Sequence, residues 1–371
     1  MELKQKINAF VLLGDFLRQF SYEDDAKPEN YNIPAERQNR YDHLNLLFKE
    51  DFECTIISSF HYNGWFTEKN VRFALGGLSR NLTEANLNQW LEKYKEQLQN
   101  KNDPKKVGVV MAGNVPMVGF HDMLCVLISG NILVGKLSSQ DKILLPKIAD
   151  ILIEIEPDFK SLVRFTEGQL KGIDAIIATG SNNSSRYFEY YFGKYPNIIR
   201  KNRNSISILT GKETQEDLHH LGTDIFQYYG FGCRNVSKIF VPEGYDFDFF
   251  FRSIFDFKWV IENNKYANNY DYNKTLYLMR NYKLLDNGFL LLKEDTATAS
   301  PPSCLFYEYY QNEDDLVKRV SADLFHIQCI VANNISLLNT VPFGKSQSPE
   351  LWDYADGVDT LEFLIGLNNK H

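Results

Sequence analysis

A single cysteine sits behind two glycines in Gly230-Phe231-Gly232-Cys233-Arg234, at the entrance to the β-branched and aromatic run Val236 to Val241. Gly230 and Gly232 allow backbone angles that other residues avoid, so a thiol can be presented at a turn without being covered by its neighbours. Arg234 and Lys238 add positive charge, which favours the thiolate, the reactive form of cysteine. The alternative is a small, packed, inert thiol. Asn114, in Gly113-Asn114-Val115-Pro116, carries an amide that could donate to an oxygen developing negative charge, or it serves only as a turn asparagine. Lys136, followed by Ser138 and Ser139, could meet a ribose hydroxyl or a 2′-phosphate, or is an exposed surface lysine. Thr179-Gly180-Ser181 offers backbone N–H groups to a phosphate where a helix begins; short Gly-Ser turns are also common. His121, His219 and His220 read as structural or surface histidines, and Cys54, Cys125, Cys304 and Cys329 lack the Gly-Cys turn and read as structural. No GxGxxG, GxxxxGK[ST] or HExxH occurs, which counts against a typical dinucleotide-binding dehydrogenase, a P-loop enzyme and a zinc protease.

These residues fall at the ends of elements that the pattern predicts. The first hundred residues are mostly helical: Leu3, Ile7, Phe10, Val11 and Phe16 recur at helical spacing as an amphipathic helix, and Asn81-Leu82-Thr83 opens another. The polar stretch 22–37 reads as a loop. From Pro104 the rhythm changes. Strands at 107–111 and 132–136 enclose an apolar helix from Met117 to Ser129, the βαβ order that demands a parallel sheet. Ser138-Ser139-Gln140 is expected to cap a helix at 142–154, and strands follow at 175–178 and 205–209. This alternation is the doubly wound pattern, in which ligands bind at the carboxyl ends of the strands. A second unit is expected after Gly211: a helix at 216–229, a strand at 238–241, strands at 276–279, 290–292, 305–309 and 327–332, an exposed loop at 299–303, and a helix at 314–321. Val358, Leu361, Phe363 and Ile365 alternate, which predicts a strand-like tail able to pair with another subunit. The resulting division is a helical region at 1–103, a cofactor domain at 104–211, a cysteine-bearing domain at 212–345 and a tail at 346–371.

Composition narrows the partners. A formal net charge of −8 over 371 residues, with no basic block, argues against nucleic acid or an anionic membrane surface as the main partner. No uncharged apolar run approaches the ~18 residues of a membrane helix, so integral membrane contact is not expected. The N-terminus has neither the apolar core nor the cleavage site of a signal peptide. Five cysteines, without CxxC pairs or metal-like spacing to histidine, fit reduced thiols and no metal site. A cytoplasmic protein is expected.

Taken in order, the motifs resemble the aldehyde dehydrogenase superfamily, and more closely its LuxC-type acyl-CoA reductase branch. Ala-Gly-Asn-Val-Pro at 112–116 is similar to the superfamily's Asn-Phe-Pro turn, and Val-Gly-Lys-Leu-Ser-Ser at 134–139 to its Lys-Pro-Ser motif. Ala-Thr-Gly-Ser at 178–181 resembles Phe-Thr-Gly-Ser, Phe-Gly-Cys at 231–233 resembles Gly-Gln-x-Cys, and Pro342-Phe343-Gly344 matches the C-terminal Pro-Phe-Gly. The resemblance implies an α/β, aldehyde dehydrogenase-like fold with two doubly wound parallel-sheet domains behind a helical N-terminal region. It implies Cys233 as nucleophile and Asn114 as oxyanion donor, with Lys136, Ser138, Ser139, Thr179, Gly180 and Ser181 binding the cofactor.

The departures sharpen that expectation. The Glu-Leu-Gly-Gly motif, whose glutamate activates water in acid-forming members, is replaced by Arg200-Lys201-Asn202-Arg203-Asn204, without a carboxylate. The Glu-x-Phe-Gly-Pro motif that steadies the nicotinamide ribose is replaced near Ala299-Ser300-Pro301-Pro302-Ser303. The expected activity is reduction of an acyl-CoA or acyl-protein thioester to an aldehyde with NADPH, NADH being the alternative. A homo-oligomer through the tail and an acyl-transferring partner protein are the expected associations. An acid-forming aldehyde dehydrogenase and a non-redox acyl carrier or scaffold are the competing readings.

Overall fold

The computed structural model of the chain describes residues 1–22, 32–100, 103–180, 182–333, 335 and 338–367. The fold consists of two units, one of residues 1–201 and 350–371, the other of residues 202–349.

The first unit begins with α1 (Leu3–Arg18), α2 (Ala35–Tyr62), α3 (Glu68–Asn81), α4 (Glu84–Leu91) and α5 (Lys95–Gln99). Thr67 and Thr83 cap α3 and α4, accepting from the N–H groups of Asn70 and Asn86 at 3.3 and 3.2 Å. α1 is buried on nearly every side, and even its polar residues are satisfied inside: Lys6 Nζ donates to Ile128 O at 2.9 Å and Asp15 pairs with Arg37 at 2.7 Å. It is thus a central helix more than a surface amphipathic one. It shares one hydrophobic core with the sheet that follows. In that sheet come β1 (Lys106–Val110), α6 (Phe120–Ile128), β2 (Ile132–Lys136), α7 (Leu144–Ile155), β3 (Val163–Thr166), β4 (Ala175–Thr179), α8 (Asn182–Phe192) and β5 (Asn197–Arg200). The strands are all parallel in the order β3-β2-β1-β4-β5. Such strands need helices on both faces, which explains the continuous apolar runs of β1 and β4. The order reverses between β1 and β4, the switch point at which this architecture binds ligands.

The second unit contains β6 (Asn204–Ile208), α9 (Gln215–Phe226), β7 (Val236–Pro242), α10 (Phe247–Ser253), α11 (Asn264–Met279), β8 (Leu284–Asp286), β9 (Leu291–Glu294), β10 (Cys304–Tyr310), α12 (Glu313–Asp323) and β11 (Ile327–Val331). Its sheet runs β11-β6-β7-β10-β9-β8, parallel except for the β8–β9 pair. The chain then returns to the first unit, where α13 (Thr360–Gly366) closes it.

Several expectations are corrected. β6 pairs with β7 and β11, so the division falls after residue 201 and not after 211. Residues 276–279 are the last turn of α11, not a strand: Asn263 caps that helix, and Tyr266, Tyr270, Asn273 and Tyr277 line its buried face at helical spacing. The tail is a helix, not a pairing strand, because Asp359 caps it and Leu361, Leu364 and Ile365 are buried together. The serines at 138 and 139 do not cap α7, which starts at Leu144; they form a turn bridged between Ser138 and Asp141. The 299–303 loop is only partly exposed, with Ser303 buried at φ 66°. β3 and β5 were not expected; they are four-residue strands at the two edges of their sheet. Of the loop read at 22–37, residues 23–31 lie outside the described residues and Ala35–Arg37 belong to α2.

Candidate active site

At the carboxyl edge of the first sheet, Val110 stands level with Lys136 on one side and Ala178 on the other. This register brings the turn after β1, the end of β2 and the end of β4 together, and with them Asn114, Lys136, Ser138, Thr179 and Gly180. Asn114 is exposed at the tip of its turn. The turn is fastened from both flanks: Asn63 Nδ2 donates to Gly113 O at 2.9 Å, and the Met117 N–H donates to Asp141 Oδ2 at 2.7 Å. Met117 itself sits at φ 59°, a conformation that costs a side chain about 1 kcal/mol or more. Gly113 lies so close to the next loop that a Cβ there would stand 2.7 Å from Ser138 Cβ. Ser138 Oγ accepts from the Gln140 N–H at 3.2 Å, and Ser139 is exposed. Lys136 is half-buried and has no salt-bridge partner among the described residues. Thr179 Oγ1 accepts from Arg200 at 3.4 Å, and Gly180 packs tightly under Phe188 and Ser184 of α8. Ser181 lies outside the described residues.

Arg200, which opens the segment lacking the expected glutamate, is a structural residue. Its guanidinium forms a buried two-pronged pair with Asp122 of α6, at 2.7 and 2.9 Å, and donates to Thr360 of α13 at 2.9 Å. His121, the residue before Asp122, hydrogen-bonds Leu351 O at 2.9 Å and packs between Trp90 and Tyr354. Both Arg200 and His121 therefore build the first unit's core.

Cys233 lies in the second unit, in the turn that enters the amino end of β7. Four of the five residues from Tyr228 to Gly232 have positive φ: Tyr228 at 54°, Tyr229 at 57°, Gly230 at 85° and Gly232 at 102°. For the two tyrosines this is strained. Burial of both rings offsets it, with Tyr229 packed edge-on against Trp259. The result is a half-buried thiol on a tightly wound loop. Ser205 Oγ donates to Cys233 O at 2.9 Å, and Arg234 Nη1 reaches Ser346 O at 3.4 Å. Asp224 of α9 is fully buried and holds the Pro-Phe-Gly turn, accepting from the N–H groups of Gly344 and Ser346 at 2.6 and 2.9 Å and from Ser346 Oγ at 2.7 Å. Burial pushes its carboxyl up to about 6, against the opposing pull of these bonds. Cys329, read from sequence as an unremarkable structural thiol, has its sulfur 2.9 Å from Ser205 Oγ, and burial pushes that thiol up to about 11.

A family model described as acyl-CoA reductase (LuxC) matches residues 72–249. Over that span, just under half of the chain, the sequence is similar to the LuxC acyl-CoA reductases. The LuxC match takes in Asn114, Lys136, the 138–139 serines, Thr179, Gly180 and Cys233, and ends before Pro342-Phe343-Gly344. No curated protein matches significantly. Solved aldehyde dehydrogenases share the fold. Aldehyde dehydrogenase 21 from Physcomitrella patens, in complex with the product succinate, is 12% identical with a TM-score of 0.62, covering 98% of this chain and 84% of that one. An NAD-dependent aldehyde dehydrogenase from Sinorhizobium meliloti is 10% identical with a TM-score of 0.61, covering 91% and 72%. The glyceraldehyde-3-phosphate dehydrogenase GapN from Methanocaldococcus jannaschii, complexed with NADP, is 12% identical with a TM-score of 0.56, covering 91% and 82%. The partial family match and the shared fold together point to an oxidoreductase acting on aldehydes or acyl groups. Among the described residues, no helix is long and apolar enough to cross a membrane.

Proposed function

We propose that the protein reduces an acyl thioester, an acyl-CoA or an acyl-protein, to an aldehyde. The observation that carries this reading is the strained Gly-Cys turn within a LuxC-family segment whose glutamate position is taken by Arg200 and its neighbours. Cys233, as thiolate, attacks the acyl carbon, and the thiol of the donor leaves. Asn114 and the Cys233 backbone N–H are the donors assigned to the oxyanion; one such donor is typically worth ~3 kcal/mol of barrier.

The carboxyl edge of the first sheet fits a nicotinamide dinucleotide by its donor set: a lysine without an ion-pair partner among the described residues, serine and threonine hydroxyls, and the start of the eleven-residue helix α8. Lys136, Ser138 and Ser139 would hold the adenosine ribose or its phosphate, and Thr179, Gly180 and Ser181 the diphosphate. NADPH is favoured over NADH because Lys136 has no acidic residue beside it in sequence. When bound, the nucleotide supplies the hydride. The test is aldehyde formation from acyl-CoA and NADPH, with Cys233→Ala expected to abolish it. A Cys233→Ala protein turning over at the wild-type rate would overturn the mechanism, and steady aldehyde oxidation without any thiol acceptor would favour the acid-forming alternative.

A further inference from the structure

The cysteine turn is anchored at one point that no motif marks. Ser205, in β6, is fully buried, and both its backbone N–H and its hydroxyl serve the turn. The N–H donates to Asn235 O at 3.2 Å, and Oγ donates to Cys233 O at 2.9 Å. On the opposite side the same Oγ accepts from the Cys329 N–H at 3.2 Å and lies 2.9 Å from Cys329 Sγ. The sheet is irregular on both flanks of this residue. The β6–β7 register slips between Ser205 and Ile206, where β7 holds an extra residue, and the β11–β6 register slips between Ile327 and Ile330, where Cys329 lies. A bulge re-aims side chains and interrupts pairing, and bulges gather beside active sites. Here two of them turn neighbouring strands toward one hydroxyl.

We infer that Ser205 is a positioning residue for Cys233, transmitting the position of β11, through Cys329 and one hydroxyl, to the turn that carries the nucleophile. The inference rests on the proposed role of Cys233. The physical case is that Gly230 and Gly232 make the turn pliable, so its geometry must be fixed from outside. A hydroxyl that donates to the Cys233 carbonyl while accepting from the Cys329 N–H has its single proton and one lone pair committed to the two segments.

The test uses Ser205→Ala, Ser205→Thr and Cys329→Ala in the full chain. Two readouts are taken: aldehyde formation, and alkylation of Cys233 by iodoacetamide followed by peptide mass spectrometry. Ser205→Ala should lower kcat about fivefold to tenfold, the scale of one lost hydrogen bond, and leave KM for the nucleotide unchanged. It should also speed Cys233 alkylation several-fold as the turn loosens. Ser205→Thr, which keeps the hydroxyl, should restore both, and Cys329→Ala should shift both in the same direction as Ser205→Ala but less. If Ser205→Ala does not fold, Cys329→Ala decides. Folded variants that leave kcat and alkylation unchanged overturn the inference. Should wild type make no aldehyde, the proposed reaction fails, and the alkylation rates still report on Ser205.

Discussion

Asp141 is 4% exposed, with one carboxylate oxygen on the Met117 N–H and the other without a partner among the described residues. Burial pushes its carboxyl from the ordinary 3.8 up to about 6. The folded chain therefore holds this proton more tightly than the unfolded one. The stability so gained is complete below pH 3.8 and is lost as pH rises through about 6. Asp141→Asn keeps an oxygen for Met117 and removes the charge. Near pH 7.5 it should be more stable than wild type by on the order of 1–2 kcal/mol, with the gap closing toward pH 4. Urea denaturation at the two pH values checks this, and a gap independent of pH would refute it. Neither Asp141 nor Ser205 was legible in the sequence. The first follows two serines whose pattern resembles a helix cap, and the second is one polar residue in an alternating strand. Each acquires its role only from segments distant in the chain.

At the scale of elements, the turn after β1 and the loop after β2 form one packed assembly. Gly113 touches Ser138, and Asp141 bonds Met117, so the two loops cannot shift separately. Gly113→Ala would push the Ser138 loop aside. Overpacking of this kind typically costs about 1–3 kcal/mol. The expected result is a lower melting temperature together with weaker NADPH binding by calorimetry, since Lys136 and Ser138 move with the loop. A variant that melts earlier but binds the nucleotide normally would separate the loop from the cofactor. The strands β1, β2 and β4 were readable because parallel, doubly covered strands are written as near-continuous apolar runs, and β7 by its shorter run Ile239-Phe240-Val241. β3 and β5 were not, being short edge strands with half-polar sequences. In the tail, alternation of apolar residues over a few positions fits both periods, and the Asp359 cap together with the burial of Leu361 and Leu364 decides for helix.

For the molecule as a whole, the consequential feature is the carboxylate missing from residues 200–204. In the acid-forming aldehyde dehydrogenases that the motifs resemble, a glutamate activates the water that frees the acyl group. Here the equivalent segment starts with Arg200, which is committed to Asp122 and Thr360 inside the first unit, and none of Arg200 to Asn204 is a carboxylate. On the proposed mechanism a thioester on Cys233 would lack that general base, and a missing base of this kind typically slows its step about 10²–10⁴-fold. The acyl group should then wait for a thiol or for hydride. Mixing the protein with acyl-CoA alone should add one acyl mass to the peptide carrying Cys233, and the adduct should persist in buffer. Adding CoA should discharge it to acyl-CoA, and adding NADPH should release aldehyde. Intact-mass measurements over time distinguish the outcomes: an adduct that decays to free acid as fast in buffer as with CoA would show that water reaches the thioester through some other base.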